Sequence, residues 1–381
     1  MLKSGHFSRR ELLGLAAGAT VAAAAPAESE GAVPLESREP AQFPFYTARG
    51  THRELGRQHG EQAASQIRAH IEIMCAQQRM SREQLRRRAA QFQPAFDRYC
   101  PHLLEEMRGL GEGAAVSFEE AMACNIRGEL QYAPQAGCTA FAIKAKGAAQ
   151  HEMIAGQNSD MGSEVIPLAY VLRLQPQNKP EVLTYTFGGM LAYHGFNSAG
   201  VAKFENALGG GPPSRFGIPH YPVERMMYEC GSLEEVFALL RKMPLEYNVN
   251  FLMCDGQGNI ADVESTTEGP QILQDQGAGY LVHTNHYLSK RFATPENFKR
   301  SLPDSFPRLK RIHSLVQSRY GSITVADIQQ FLSDHSGYPT SICRHDKSMS
   351  TVASMIAEPA RGAMHVALGN PCQHRYVTYT M

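Results

Sequence analysis

The chain has 381 residues, of which 43% are hydrophobic, and its 37 basic side chains balance its 37 acidic ones. This hydrophobic content is sufficient for a well-buried globular core, in one large domain or in two or three smaller ones. A neutral chain without a basic stripe argues against nucleic acid as its main partner.

The first 27 residues have the pattern of a twin-arginine signal peptide. An Arg-Arg pair at positions 9–10 precedes an apolar run over 12–25, and residues 25–27 fit a small-residue cleavage site. The run is too short and too rich in Ala and Gly to predict a membrane span, and no later segment reaches about 18 apolar residues. We therefore expect no stable membrane span and a periplasmic or secreted protein exported by the twin-arginine route. A chance Arg-Arg pair is the alternative.

The N-terminal part of the mature chain is predicted to be mostly helical. Residues 28–42 are rich in Pro, Glu, Ser and Ala, which is typical of a flexible segment. From His52 to about Arg127, apolar residues recur at three- and four-residue spacing, which indicates helices with one buried face. The stretches Ser81–Gln84 and Ser117–Glu120 have the capping-box pattern of helix N-termini.

At Gly137 the pattern changes from helical to extended. Strands are predicted over residues 138–143, 153–155, 169–174, 182–187, 201–204, 250–254, 260–264, 351–356, 364–368 and 375–379. Helices are predicted from Ser232 to Leu240 and over 308–319 and 325–332. Because short turns between strands favour antiparallel pairing, helices that cover such sheets indicate a layered α+β fold.

Among the eight cysteines, Cys138 stands out by its position. A single cysteine is usually a small buried thiol, but this one follows Gly137 where the helical pattern ends. If the Gly137–Cys138 bond breaks, Cys138 gains an α-amine with a reference pKa of about 7.7–8.0, which can act as base for its own thiol. Because glycine lacks a Cβ, it tolerates the strained backbone that attack on the preceding carbonyl requires.

Short motifs occur along the chain in a fixed order. They are Gly50–Gly56 with His59-Gly60, Glu106–Gly113, Asn125–Glu129, Gly137-Cys138-Thr139, Gly156–Asp160, Gly195–Ala202 with Asn206, His283–His286 and Ser341–Arg344. Together they resemble the isopenicillin-N acyltransferase family of cysteine N-terminal-nucleophile hydrolases, which is related to choloylglycine and penicillin V hydrolases. The resemblance covers most of the mature chain.

The resemblance implies a four-layer αββα sandwich, in which two antiparallel sheets face each other between helical layers. It also implies that the chain cuts itself between Gly137 and Cys138. The cut would separate a helical α segment, residues 28–137, from a catalytic β segment, residues 138–381. The two fragments would stay associated in one shared domain and act on a small-molecule amide substrate without a cofactor.

The same resemblance assigns the catalytic roles. Cys138 would be the nucleophile, and Asp160 would orient its amine and thiol. The side-chain amide of Asn285 and the backbone amide of Asn206 would bind the oxyanion. Arg344 would lie near the thiol and favour the thiolate.

Other candidate residues are predicted to be structural. His283 and His286 are three residues apart in a predicted strand and loop, where this spacing does not place both on one face, so no metal site is predicted. Cys343, next to Arg344, is predicted to be a buried structural thiol rather than an activated one.

The resemblance favours an amidohydrolase that cleaves a linear amide (C–N) bond of a small acylated amine or amino acid through a thioester acyl-enzyme. An acyltransferase that moves an acyl group from a thioester such as acyl-CoA to an amine is the first alternative. A non-catalytic small-amide binding protein, and a Cys–His hydrolase with His194 or His286 as base, are the others. Ser159 stands where the family often has Trp, which implies a wider or more hydrated pocket. Ala140 stands where a related enzyme has a second Thr, so the efficiency of self-cleavage stays open.

Overall fold

A computed structural model describes residues 41–131 and 136–381. The predicted signal peptide and residues 28–40 of the predicted flexible segment lie outside these ranges. No helix among the described residues is long and apolar enough to cross a membrane. All eight cysteines lie within the described residues, and all are free thiols.

The described part of the chain contains both helices and strands in the proportions of an α+β fold. Helices α1–α12 span His52–Gln62, Ala64–Gln78, Arg82–Ala90, Gln93–Tyr99, Pro101–Ala114, Phe118–Cys124, Arg127–Gln131, His220–Met227, Leu233–Lys242, Pro295–Lys299, Ser305–Arg319 and Val325–Leu332. Strands β1–β14 span Phe45–Gly50, Gly137–Ile143, Ile154–Met161, Ala169–Pro176, Val182–Phe187, His194–Asn197, Ala202–Ala207, Val249–Cys254, Ile260–Thr266, Gly269–Gln274, Tyr280–His283, Ser350–Glu358, Ala363–Leu368 and Tyr376–Thr380.

The predicted helical segment before Gly137 is confirmed, and its caps form for the predicted reason. Ser81 and Ser117 each accept a hydrogen bond from the third helical amide, and the side chain of that third residue accepts one from the backbone N–H of the cap. The predicted strand over 153–155 is too short, because β3 continues to Met161. Its second half is polar yet fully buried, so an apolar pattern could not reveal it.

The strands form two sheets. The first has eight strands in the order β1-β4-β5-β6-β7-β8-β9-β10, and the second has six in the order β11-β2-β3-β12-β13-β14. All neighbouring strands are antiparallel except β1 and β4, which are parallel, so the expectation of two purely antiparallel sheets is wrong at this edge. β1 precedes all the N-terminal helices in the chain, whereas its partner β4 follows them. The pairing of β1 with β4 is therefore non-local.

Three apolar cores separate four layers, which confirms the predicted αββα sandwich. The N-terminal helices and α8–α9 pack on the eight-stranded sheet through residues such as Leu55, Leu110 and Phe251. The two sheets enclose a second core that includes Ala140 and Met355. Helices α11 and α12 cover the other face of the six-stranded sheet with a third core.

Helices α1 and α5 approach each other so closely that their backbones touch through glycines. A Cβ at Gly56 would lie 1.8 Å from the carbonyl oxygen of Glu106, and one at Gly109 would lie 2.1 Å from that of Arg53. These glycines belong to two of the motifs that carry the family resemblance. Their role is to permit helix packing, because any larger residue would force the two backbones apart.

Candidate active site

The register of the six-stranded sheet brings the predicted site residues together. Cys138 pairs with Ser159 on β3, and Gly137 pairs with Asp160. On the other side of β2, His283 pairs with Ala140, and two residues further on the chain reaches Asn285. Asp160 and Asn285 therefore flank the predicted cleavage site from opposite neighbouring strands.

Side chains of β2 alternate between two environments. Ala140 and Ala142 lie in the core between the sheets, and Phe141 and Ile143 lie in the core under α11 and α12. By this alternation Cys138 faces the space between the sheets, whereas Thr139 faces the helices. The predicted nucleophile and Thr139 thus lie on opposite faces of one strand.

Asn285 holds the backbone on both sides of Gly137. Its Oδ1 accepts a hydrogen bond from the Cys138 amide at 3.0 Å. Its Nδ2 donates to the Ala136 carbonyl at 3.3 Å and to the Ala207 carbonyl at 3.0 Å. The predicted oxyanion donor is therefore in contact with the cleavage site.

Arg308, on α11, is a site residue that the sequence did not indicate. Its Nη1 donates to the Cys138 carbonyl at 2.5 Å and to Thr139 Oγ1 at 3.0 Å. Its Nη2 donates to Asn285 Oδ1 at 2.7 Å, and its Nε donates to Asp304 at 2.8 Å. This buried guanidinium fixes the nucleophile's backbone and the orientation of the Asn285 amide at once.

Asp160 is buried next to Gly137. Its Oδ1 accepts a hydrogen bond from Thr351 Oγ1 at 2.7 Å, and its Oδ2 has no hydrogen-bond partner among the described residues. Burial raises the pKa of this carboxyl to about 7, although the charge of Arg308 and the Thr351 hydroxyl act in the opposite direction. Asp160 therefore has one oxygen available for a proton or an amine near neutral pH.

Arg344 approaches the same glycine from another segment. Its guanidinium donates to both oxygens of Asp304, at 2.7 and 3.4 Å. Asp304 thereby bridges Arg344 and Arg308, which places two cations on the helical side of β2. Asp304 is a second residue that the sequence did not indicate, because its partner Arg344 lies 40 residues further along the chain.

Space, rather than strain, explains why position 137 is a glycine. Gly137 lies in a regular strand and has no positive φ, so the expected strained backbone is not present in the uncut chain. A Cβ there would lie 3.0 Å from Asp160 Oδ2, 3.0 Å from Met349 Sδ and 3.3 Å from Arg344 Nη1. The glycine lets the carboxylate and the guanidinium reach the peptide bond that precedes Cys138.

The Cys138 thiol is buried and electrostatically held in its neutral form. Burial raises its pKa well above the usual value, and the carboxylates of Asp160 and Glu205 raise it further. A hydrogen bond from the Asp160 backbone and the charge of Arg308 lower it in part. In the uncut chain the sulfur is therefore a thiol rather than a thiolate.

Asn206 lies on β7 opposite Asn250. Its side-chain Oδ1 accepts from Asn250 Nδ2 at 3.3 Å, and its Nδ2 is buried without a partner among the described residues. The next residue, Ala207, accepts the hydrogen bond from Asn285. Asn206 is therefore one residue away from a direct contact of the site, and the predicted use of its backbone amide stays a prediction.

Two cavities meet at the cleavage site. One, of about 340 Å³, is lined by Arg127, Tyr193 and Glu205 among others. The second, of about 480 Å³, is lined by Asn285 and the loop that follows β7. Both are lined by Ala136, so this residue, next to Gly137, lies between them.

Neither imidazole considered as an alternative base contacts the nucleophile. His194 Nε2 lies 3.2 Å from Gln157 Nε2, and His286 Nδ1 lies 2.7 Å from Ser305 Oγ. Burial lowers the pKa of His194 well below its usual value and that of His286 to about 4. Within the described ranges, no hydrogen bond joins either ring to the Cys138 sulfur, so a Cys–His pair has no geometric support.

Comparison with known proteins finds a related acyltransferase and several similar solved structures. The acyl-coenzyme A:6-aminopenicillanic-acid-acyltransferase 40 kDa form of Emericella nidulans is 27% identical over 339 residues, which cover 85% of this chain and 92% of that protein. Among solved structures, penicillin V acylase from Agrobacterium tumefaciens has 13% identity and a TM-score of 0.48, over 64% of this chain and 86% of its own. A variant of conjugated bile acid hydrolase from Clostridium perfringens has 12% identity and a TM-score of 0.43, over 64% of this chain and 97% of its own.

One family model matches the chain, and the match is long enough to show the family. A profile of the family described as acyl-coenzyme A:6-aminopenicillanic acid acyl-transferase matches residues 148–373, and the named homologues are enzymes. Because the match covers more than half of the sequence, this protein is an enzyme that belongs to the acyl-coenzyme A:6-aminopenicillanic acid acyl-transferase family.

Proposed function

We propose that this enzyme cleaves itself between Gly137 and Cys138 and then uses the Cys138 thiol to hydrolyse a linear amide bond of a small acylated amine or amino acid. The observation that carries the proposal is that Asn285 is hydrogen-bonded to the backbone on both sides of Gly137. Its side chain donates to the Ala136 carbonyl and accepts from the Cys138 amide. These hydrogen bonds fix the peptide bond to be cut next to the sulfur that would attack it.

Self-cleavage begins with attack of Cys138 Sγ on the carbonyl carbon of Gly137. The thiol proton passes to the departing amide nitrogen, the C–N bond breaks, and a thioester forms in its place. Water then hydrolyses the thioester, which leaves a carboxylate on Gly137 and a free amine on Cys138. The unpartnered Asp160 Oδ2 next to Gly137 supports proton transfer, because a carboxyl with a pKa of about 7 can take and return a proton near neutral pH.

The cut creates the groups that the second reaction needs. The new amine of Cys138 becomes the base for its own thiol, and Asp160 holds that amine. Departure of the Ala136 carbonyl frees the Asn285 amide to donate to a substrate oxyanion, with Asn206 as the second donor. Arg308 keeps Asn285 in this orientation because it holds the amide oxygen rather than the nitrogen.

The two cavities support the proposal of a small substrate that consists of an acyl group and an amine. Ala136 lies between them, so movement of this segment after the cut would join them at the nucleophile. An acyl group would occupy one cavity and an amine the other, with the scissile carbonyl between them at Asn285. A neutral thiol in a closed, uncut chain would keep the enzyme inactive towards external amides until processing.

Acyl transfer is the second candidate, and one finding favours it: the relative from Emericella nidulans is named for transfer from acyl-coenzyme A. The same acyl-enzyme serves both reactions. Water that attacks the thioester gives hydrolysis, whereas an amine that attacks it gives a new amide. The ratio of free acid to new amide, measured with and without an added amine, distinguishes the two.

Incubation of the processed protein with a panel of acyl-anilides tests the proposed function. We expect release of the free amine and an acyl adduct on Cys138, detected by peptide mass, and neither product from a Cys138→Ala variant. A Cys230→Ser variant is the matched control, because Cys230 lies at the end of α8 outside the site, and it should keep full activity. Binding of the amides without any adduct or product would instead favour a non-catalytic binding protein.

We further propose that residues 1–27 direct export by the twin-arginine route, on the sequence pattern alone. N-terminal sequencing of protein recovered from the periplasm tests this proposal. A start near residue 28 is the expected result, and recovery of the whole chain in the cytoplasm would contradict it.

A further inference from the structure

Four side chains with metal-binding atoms converge next to Arg344. His335, Cys343 and His345 belong to the irregular segment 333–349 between α12 and β12, and Cys372 belongs to the loop between β13 and β14. One nitrogen or sulfur atom of each lies within 4.8 Å of the other three. None of the four takes part in the chemistry proposed above.

The distances among these atoms are short and similar. His345 Nε2 lies 3.4 Å from Cys343 Sγ and 3.3 Å from Cys372 Sγ. The two sulfurs are 3.6 Å apart, and His335 Nε2 lies 3.1 Å from His345 Nε2. Each of these atoms can act as a metal ligand, because a thiolate sulfur and an unprotonated imidazole nitrogen each offer a lone pair.

These four distances each lie within about 0.3 Å of the corresponding edge of a zinc tetrahedron. With Zn–S bonds of about 2.3 Å and Zn–N bonds of about 2.0–2.1 Å, a tetrahedron separates two sulfurs by about 3.8 Å, sulfur and nitrogen by about 3.6 Å and two nitrogens by about 3.3–3.4 Å. The observed distances fall in the same order, with the sulfur pair longest and the nitrogen pair shortest. A disulfide would need the sulfurs about 2.05 Å apart.

Asn370 provides the kind of outer contact that ligand sulfurs have in metal sites. Its side-chain Nδ2 donates to Cys343 Sγ at 3.5 Å and to the Arg344 carbonyl at 2.7 Å. A donor to sulfur orients a thiolate ligand and offsets part of its charge. Asn370 belongs to the same loop as Cys372, so this loop contributes one ligand and one contact to a ligand of the other segment.

We propose that His335, Cys343, His345 and Cys372 bind one structural Zn²⁺ ion. Four protein ligands close the coordination sphere, so the ion has no open position for a substrate or a water nucleophile. It links an irregular segment, which has few regular hydrogen bonds of its own, to the loop between β13 and β14. Because its ligands Cys343 and His345 flank Arg344 in sequence, the ion also fixes the backbone that carries this arginine to the cleavage site.

Metal content of the purified full-length protein tests the proposal, whether or not the chain has cut itself. We expect about one zinc per chain by elemental analysis. The variants Cys343→Ser and Cys372→Ser should each lose most of it. Cys230→Ser is the matched control and should keep it, because this half-buried cysteine lies outside the cluster.

Cobalt substitution keeps the test decisive if a ligand variant fails to fold. Wild-type protein, stripped of metal and reduced, should take up Co²⁺ and show the absorption bands of tetrahedral thiolate ligation, which added Zn²⁺ abolishes. Three results would each overturn the proposal: no uptake of Zn²⁺ or Co²⁺ by the reduced wild type, full metal content in the Cys343→Ser variant, or a Cys343–Cys372 disulfide in the native protein by peptide mass.

Discussion

The Cys138 thiol and the thiols of Cys343 and Cys372 have different surroundings in the described structure, and these surroundings favour different roles. The Cys138 sulfur faces carboxylates, has no imidazole partner and is held neutral by burial. The sulfurs of Cys343 and Cys372 face imidazole nitrogens at 3.3–3.4 Å. Donor atoms that converge on one point favour the binding of a cation, whereas a single thiol next to a peptide bond favours attack on that bond. Neighbouring groups, not the cysteine itself, decide the chemistry.

The largest effect is expected from replacing Arg308, whose guanidinium donates a hydrogen bond to the Cys138 carbonyl. In an uncut Cys138→Ala background, Arg308→Met should lower the free energy of unfolding by about 3–5 kcal/mol, because it leaves buried polar partners uncompensated. Urea unfolding measures this change. Arg319→Met, on the same helix but 59% exposed, is the control and should shift stability by about 0.5 kcal/mol or less. Equal effects of the two variants would contradict the role of Arg308.

The next effect separates the two functions of Asn285. Asn285→Asp keeps an oxygen to accept from the Cys138 amide but removes the Nδ2 donor, so substrate turnover should fall by about 10²–10³-fold. The rate of amide hydrolysis by the processed fraction measures it. A rate near that of the wild type would show that another group binds the oxyanion.

Removal of the proposed zinc ion tests the role of Cys343 and Cys372 through the stability of the protein rather than through a reaction rate. A chelator should lower the Tm of the wild type and leave that of Cys343→Ser unchanged, because that variant has no ion to lose. Differential scanning fluorimetry of both proteins gives the comparison. A wild-type Tm that does not respond to the chelator contradicts the stabilising role of the ion.

A smaller effect is expected when a methyl group is added beside the cut. Gly137→Ala places a Cβ 3.0 Å from Asp160 Oδ2 and Met349 Sδ, so self-cleavage should slow by about 10–100-fold if the strain of about 1–3 kcal/mol falls on the reacting geometry. The time course of fragment formation measures it. Gly231→Ala, where a Cβ meets only ordinary contacts, should cleave at the wild-type rate.

The smallest effect is a pH dependence from Asp160. Since burial raises its pKa to about 7, the stability that its neutral form contributes is present at about pH 4 and is lost as the pH rises through 7. Asp160→Asn, which cannot ionise, should therefore gain Tm relative to the uncut parent as the pH rises from 4 to 8. The exposed Asp97→Asn variant should follow the parent at every pH.

The sequence predicted the residues that lie in ordered motifs and missed those that only the tertiary fold brings in. Asp160 and Asn285 are neighbours of Cys138 through strand register, and their motifs indicated them. Arg308 and Asp304 reach the site because α11 packs on β2, and no local pattern records that contact. The layered fold followed from the resemblance, but the parallel strand pair did not, since its partners are separated by the whole helical segment.

The proposed metal site is a second set of residues that the sequence alone did not indicate. Cys343 and His345 are adjacent to Arg344, yet the sequence indicated only a buried structural thiol at Cys343 and did not single out His345. The fourth ligand, Cys372, lies beyond two strands, so its spacing matches none of the short patterns by which zinc sites are recognised in sequences. Only the three-dimensional arrangement makes the set visible.

Intact mass measurement of the purified protein beside a Cys138→Ala variant tests the central claim most directly. We expect two fragments from the wild type, the second of which begins at Cys138, and a single uncut chain from the variant. A wild-type chain that stays whole under conditions where it hydrolyses amides, or a variant that is cut at the same bond, would contradict the self-processing mechanism.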